Sequence, residues 1–176
     1  MKKSVLRFSI YSGITLVITG TLNYLIAAGA KLSFSQQEIG GYASILLSMI
    51  FVFLGVKQYR DKENGGEITY LKALKVGFLI TLLPSIAFGI FDIIYVKFLD
   101  PGFMEKYYNS TLGQMKASLP PAEFQAKSIQ MADEMKMFSN PIAQFLIMAL
   151  TVLAIGTVIA AISALILQRK PKLKTA

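Results

Sequence analysis

The sequence predicts an all-α polytopic membrane protein, a four-transmembrane-helix bundle with a partly helical extracytoplasmic loop. Three observations carry this prediction. Hydrophobic residues make up 54% of the chain and charged residues only 16%, against about 25% charged in an ordinary soluble domain. The charges are also clustered: long uncharged stretches alternate with groups of Lys and Arg, whereas a water-soluble fold distributes charge along every surface helix. Finally, four of the uncharged stretches reach the roughly 17–25 residues that a helix needs to cross the hydrocarbon core. A single membrane domain over 1–176 accommodates all of them.

The first span is predicted over 8–30. Its apolar length exceeds the usual 7–15 residues of a signal-peptide core, so it reads as an uncleaved anchor. The small residues Ala27-Ala28-Gly29-Ala30 nevertheless resemble a cleavage site. The second span, 39–56, is short and opens on Gly40-Gly41. A charged loop over 57–75 follows, turning at Asn64-Gly65-Gly66, whose residues accept positive φ. Beyond that turn Ile68, Leu71 and Leu74 suggest an interfacial helix leading into the third span, 76–96. This span contains Pro84, which frees a backbone carbonyl and favours a kink.

The outer loop, 97–140, is too long for a simple connection. Pro120-Pro121 followed by Glu123 reads as a helix start. Phe124, Met131, Met135 and Phe138 then recur at sums of three and four, which predicts an amphipathic helix over about 121–138. Such a helix would lie in the membrane interface or cap the bundle. The stretch from Phe103 to Tyr108 shows no clear period, although its tyrosines suit an interface. Asn140-Pro141 supplies a cap and first position for the fourth span, 142–167. A basic tail, 168–176, ends the sequence.

Orientation follows from the cations. Lys2, Lys3 and Arg7, then Lys57, Arg60, Lys62, Lys72 and Lys75, then Arg169, Lys170, Lys172 and Lys174 fall on one side of the predicted bilayer. Those twelve leave six of the eighteen for the other side. The positive-inside rule therefore predicts cytoplasmic termini and a cytoplasmic 57–75 loop in a multi-pass membrane protein. The net charge of +8 sits where anionic lipid headgroups would meet it, so the expected contact is the bilayer on the basic side and not nucleic acid.

Cysteine and histidine are both absent, which removes disulfides, Cys/His zinc sites, histidine-ligated haem, Ser-His-Asp triads and Cys-His dyads. No glycine-rich phosphate loop is present, and the halves of the chain share no internal repeat. The expectation is no catalytic residue, no cofactor and no metal site.

Two patterns remain. Gly77, Thr81, Ser85 and Gly89 recur every four residues in the third span, and Gly156, Ala160 and Ala164 do so in the fourth. Both are small-residue ridges along which helices approach closely, within the bundle or between copies. Asp92 continues the first ridge, seven residues after Ser85. Asn23 and Gln144 fall at a similar predicted depth, so the three form a candidate intramembrane polar cluster. Such a cluster is either a hydrogen-bonded lock between helices or an ion, proton or ligand site.

The segment Lys57-Gln58-Tyr59-Arg60-Asp61, the Asn64-Gly65 turn, and Ile68 leading into Ala73-Leu74-Lys75-Val76-Gly77 resemble the bacterial domain of unknown function 4199 family. The Met1-Lys2-Lys3 start, Gly13 and the four-span layout fit as well. The resemblance implies an inner-membrane protein of the same layout and carries over no catalytic residue. Two readings of function follow. The first is a non-enzymatic envelope component that assembles with, or modulates, membrane protein partners or copies of itself. The second is a small transporter or channel with an outward-facing polar site at Asp92.

Overall fold

The computed structural model describes residues 1–169; Lys170, Lys172 and Lys174 of the basic tail lie outside the described residues. Six α-helices account for nearly all of the described chain: α1 (Lys2–Ala30), α2 (Phe34–Gln58), α3 (Tyr70–Ile94), α4 (Phe103–Ser118), α5 (Pro121–Ser139) and α6 (Pro141–Leu167). Single π-helical turns, Tyr59–Glu63 and Tyr95–Leu99, continue α2 and α3. The helices containing the four predicted spans, α1, α2, α3 and α6, are long and apolar enough to cross a membrane. The fold is therefore that of an all-α, multi-pass membrane protein.

Two compact units divide the chain, one comprising residues 1–88 with the chain from Ala149 onward, the other Gly89–Met148. The first unit is apolar on its exterior as well as in its core, unlike a soluble bundle. Leu6, Ile14, Ile18, Leu46, Ile50, Leu71, Ile86, Leu150, Val158 and Ile162 face outward, while Ser4, Ser9, Ser12, Ser44, Ser48, Thr81, Ser85 and Ser163 are buried. Water would penalise that exterior; hydrocarbon does not, and it makes inward placement of the hydroxyls necessary. The buried hydroxyls find acceptors. Ser12 Oγ donates to the Ser48 carbonyl at 2.9 Å, joining α1 to α2, and Ser85 Oγ donates to the Thr81 carbonyl at 2.7 Å. Among the described residues no buried side-chain polar atom lacks a partner.

Small residues set the spacing of the helices in this unit. A Cβ built on Gly77 of α3 would lie 2.7 Å from the Ala160 Cβ of α6, and one on Gly156 of α6 would lie 2.5 Å from the Thr81 Cγ2 of α3. The two ridges thus face each other, with Gly77 against Ala160 and Gly156 against Thr81. Around them Leu16, Met49, Val52, Val56, Val76, Ile80 and Val152 form the apolar core.

Several helix ends extend past the apolar spans, for local reasons. α2 starts five residues before Ile39 because Ser33 and Gln36 form a capping box, with Gln36 N donating to Ser33 Oγ at 3.3 Å and Ser33 N to Gln36 Oε1 at 2.9 Å. Only Lys31 and Leu32 separate α1 from that cap, and Lys31 adopts the left-handed conformation at φ 49°. The 57–75 stretch is correspondingly more helical than a hairpin loop: α2 runs on through the π-turn to Glu63, and α3 begins at Tyr70.

In the second unit, α4 and α5 form a helical pair. No residue of α4 is buried, and Met131 alone is buried in α5. α4 includes the 103–108 stretch, where Phe103 and Tyr107 are one helical turn apart and their rings stack.

Candidate functional site

Asp92 and Gln144 meet because a glycine lets their helices close. A Cβ on Gly89 of α3 would lie 2.6 Å from Phe145 Cδ2 and 2.9 Å from the Phe145 carbonyl oxygen of α6. One turn beyond Gly89 is Asp92, and one residue before Phe145 is Gln144. At that spacing Gln144 Nε2 donates to Asp92 Oδ2 at 2.7 Å. Gln144 is only 3% exposed. Its helix is started by Asn140, whose Oδ1 accepts from Ile142 N at 2.9 Å. The carboxylate is therefore held from a capped, rigid helix end.

Beside this pair a file of rings runs from α3 through the following π-turn to α4. Phe91 and Tyr95 stack at 6.5 Å, Tyr95 meets Phe103 edge-on at 5.1 Å, and Phe103 stacks on Tyr107 at 6.2 Å. Ring pairs in such geometries add about 0.5–1.5 kcal/mol beyond their buried area. They anchor the first turn of α4, where Lys106 also pairs with Asp100 at 2.8 Å.

Asn23, the third member of the predicted cluster, lies in the other unit. Its Nδ2 donates to the Gln37 carbonyl at 3.0 Å, and Gly40 leaves room for it, since a Cβ there would fall 2.0 Å from Asn23 Oδ1. It joins α1 to α2.

Chemically, the Asp92–Gln144 pair is a carboxylate held by an amide. The amide donates a hydrogen bond but neither takes up nor releases a proton near neutrality, so the pair fixes helix register more readily than it relays charge. Among the described residues no group of three or more His, Cys, Asp or Glu side chains comes together.

A second polar constellation, in the first unit, joins residues that sequence patterns do not connect. Arg60, in the π-turn after α2, is 6% exposed. Its Nε and Nη2 donate to Asp61 at 2.6 and 3.1 Å, and its Nη1 donates to the Leu167 carbonyl at 3.2 Å. The last carbonyls of a helix lack intrahelical donors, and the helix dipole favours a cation there, so Arg60 both caps α6 and ties it to α2. Ile68 and Arg169 add an antiparallel bridge, with N–H···O distances of 3.2 and 2.9 Å.

The turn between them is built on glycine. Gly65 and Gly66 have φ of 67° and 84°, and Gly66 N donates to the Arg60 carbonyl at 2.8 Å. Asn64 is central: its Oδ1 accepts from Lys72 Nζ at 2.5 Å and from Tyr59 Oη at 3.3 Å, while its Nδ2 donates to the Glu67 carbonyl. The Lys72 ammonium also sits 5.6 Å from the Tyr59 ring centre. From α1, the backbone N–H of Ser4 donates to Glu63 at 3.1 Å, and its hydroxyl bonds the same carboxylate. All four membrane-length helices are thus joined at this corner. The sequence signalled the Asn64-Gly65-Gly66 turn of this corner but not the partners that meet there.

The model of a family described as "Protein of unknown function (DUF4199)" matches residues 7–169, a stretch that includes Arg60, Leu167 and the Asp92–Gln144 pair. No curated protein and no solved structure matches the chain.

Proposed function

The chain belongs to the DUF4199 family, and from that footing we propose that it is a non-enzymatic inner-membrane component that assembles with another envelope protein. In this reading both chain ends and the 57–75 stretch face the cytoplasm, and the 97–140 stretch is the extracytoplasmic loop. The distribution of cations supports that orientation, with twelve of eighteen Lys and Arg on the corner side.

The observation that carries the reading is the α4–α5 pair. These helices of 16 and 19 residues bury only Met131 and expose the apolar side chains Ile129 and Met137. Most helical stability comes from packing of one face, and the pair leaves these apolar side chains unpacked. A partner surface supplies that packing. The chain's own chemistry favours a structural role as well, because Asp92 is held by an amide and not by a second acid or base.

A photo-crosslinking residue at Ile129 or Met137, introduced in the native membrane, tests the reading. The expected result is a discrete protein adduct from both positions and none from Ile162, which faces outward from α6. Adducts to lipid alone from all three positions would refute it.

The second reading, a small transporter or channel, is favoured by the Asp92–Gln144 pair itself, since a carboxylate within a membrane-length helix often marks an ion pathway. Its test is proton- or cation-dependent flux in proteoliposomes, which Asp92→Asn should abolish. Unchanged flux in that variant would remove the residue on which the reading depends.

A further inference from the structure

An apolar groove of about 350 Å³ opens sideways between α1 and α3, with Ile10, Ile14 and Ile18 along one wall, Leu83 and Ala87 on the other, and Gly13 at its base. Gly13 makes no close clash there; a Cβ at that position would be 3.9 Å from the Pro84 backbone. The same face of α1 continues toward the basic end. Lys3, Arg7, Ile10 and Ile14 are spaced four, three and four residues apart, so they form one stripe. Lys3 and Arg7 are exposed and take no hydrogen bond or ion pair among the described residues. The adjacent Ser4 faces the other way, buried and bonded to Glu63.

We propose that this stripe and groove form a binding site for one anionic phospholipid, its phosphate on Arg7 and Lys3 and one acyl chain along Ile10–Ile18. Length and charge both fit. From Arg7 to Ile18 is roughly 16 Å at about 1.5 Å per residue, which matches the hydrocarbon depth of one leaflet, about 15 Å. Two unpaired cations at the headgroup end complement an anionic phosphate, and every groove residue is apolar. A second copy of the chain fits the same face poorly. Copies insert with one orientation, so pairing through this face would set two Lys3–Arg7 stripes at the same depth, like charge against like.

Native mass spectrometry of the full-length protein in mild detergent, after incubation with phosphatidylglycerol or with phosphatidylcholine of the same chains, tests the site. The expected result is one retained phosphatidylglycerol, bound more tightly than phosphatidylcholine. Lys3→Gln with Arg7→Gln should weaken phosphatidylglycerol retention roughly thirtyfold, about fivefold for each cation at an anionic headgroup, and leave phosphatidylcholine unchanged. Ala87→Phe, which fills the groove, should reduce retention of both lipids. Lys3 and Arg7 both lie on the exposed face, and an unchanged circular dichroism spectrum of the Lys3→Gln, Arg7→Gln variant confirms that the bundle is intact. Equal retention of the two lipids by the unaltered protein would overturn the proposal, as would insensitivity to the paired glutamine substitutions. So would a dimer that Ala87→Phe converts to monomer, which would assign the groove to a second copy.

Discussion

The close packing of α3 against α6 at Gly77 gives a perturbation whose size follows from the structure. Gly77→Ala adds a methyl 2.7 Å from Ala160 Cβ, 3.2 Å from Ala160 Cα and 3.3 Å from Val52 Cγ1. Restoring an ordinary carbon–carbon separation requires the helices to part by roughly 1 Å. Overpacking of that kind costs about 1–3 kcal/mol, partly offset by about 1 kcal/mol because alanine is the better helix former. The net expectation is a loss of about 1 kcal/mol. Ala160→Gly alone should also cost about 1 kcal/mol, through propensity and a lost methyl contact. Combining the two exchanges the glycine and the alanine across the contact, so the double variant should return close to the starting stability. The coupling energy is then about 2 kcal/mol in favour of the pair. Gly41→Ala in α2 is the control, since a Cβ there meets nothing within 4 Å. Reversible unfolding in detergent micelles, followed by circular dichroism, reads all four variants. Additive losses in the double variant, or no loss in Gly77→Ala, would show that α3 and α6 do not touch at this point.

Further predictions concern the corner and the α1–α2 turn. Arg60→Met leaves the Leu167 carbonyl without its guanidinium donor, and should lower unfolding stability in the same assay by about 1–3 kcal/mol. Gly65→Ala and Gly66→Ala each place an L side chain at positive φ, 67° and 84°, and each should cost about 1–2 kcal/mol; limited proteolysis at this turn should rise in parallel. Lys31→Gly should act in the opposite direction. It relieves a left-handed lysine at φ 49° and should raise the midpoint of thermal unfolding.

The helices and their apolar lengths are legible in the sequence because hydrocarbon imposes a length and a composition that few other constraints imitate. The start of α6 is equally local, since Asn140-Pro141 writes both the cap and the first helical position. Contacts between distant segments are harder to read. Arg60 follows an apolar span and so resembles a headgroup anchor, yet it is buried against the end of α6, 107 residues away in sequence. Nothing near Arg60 encodes Leu167. Depth along a helix was a coarse guide to partnership: Asp92 and Gln144 are hydrogen-bonded, whereas Asn23 is engaged by Gln37. Spacing shows which residues share a face but not which neighbour that face meets. The start of α2 was legible in principle, because Ser33-x-x-Gln36 is a capping box, although the apolar pattern begins only at Ile39.

The proposed topology, read from the cation distribution, puts the 57–75 stretch in the cytoplasm and the 97–140 stretch outside it. The absence of native cysteine makes the direct measurement simple: single cysteines at Lys62 and at Lys116, probed in intact cells with a membrane-impermeant maleimide. Labelling at Lys116→Cys, with Lys62→Cys protected until the membrane is permeabilised, is the predicted result. Labelling of Lys62→Cys from outside intact cells would contradict the account.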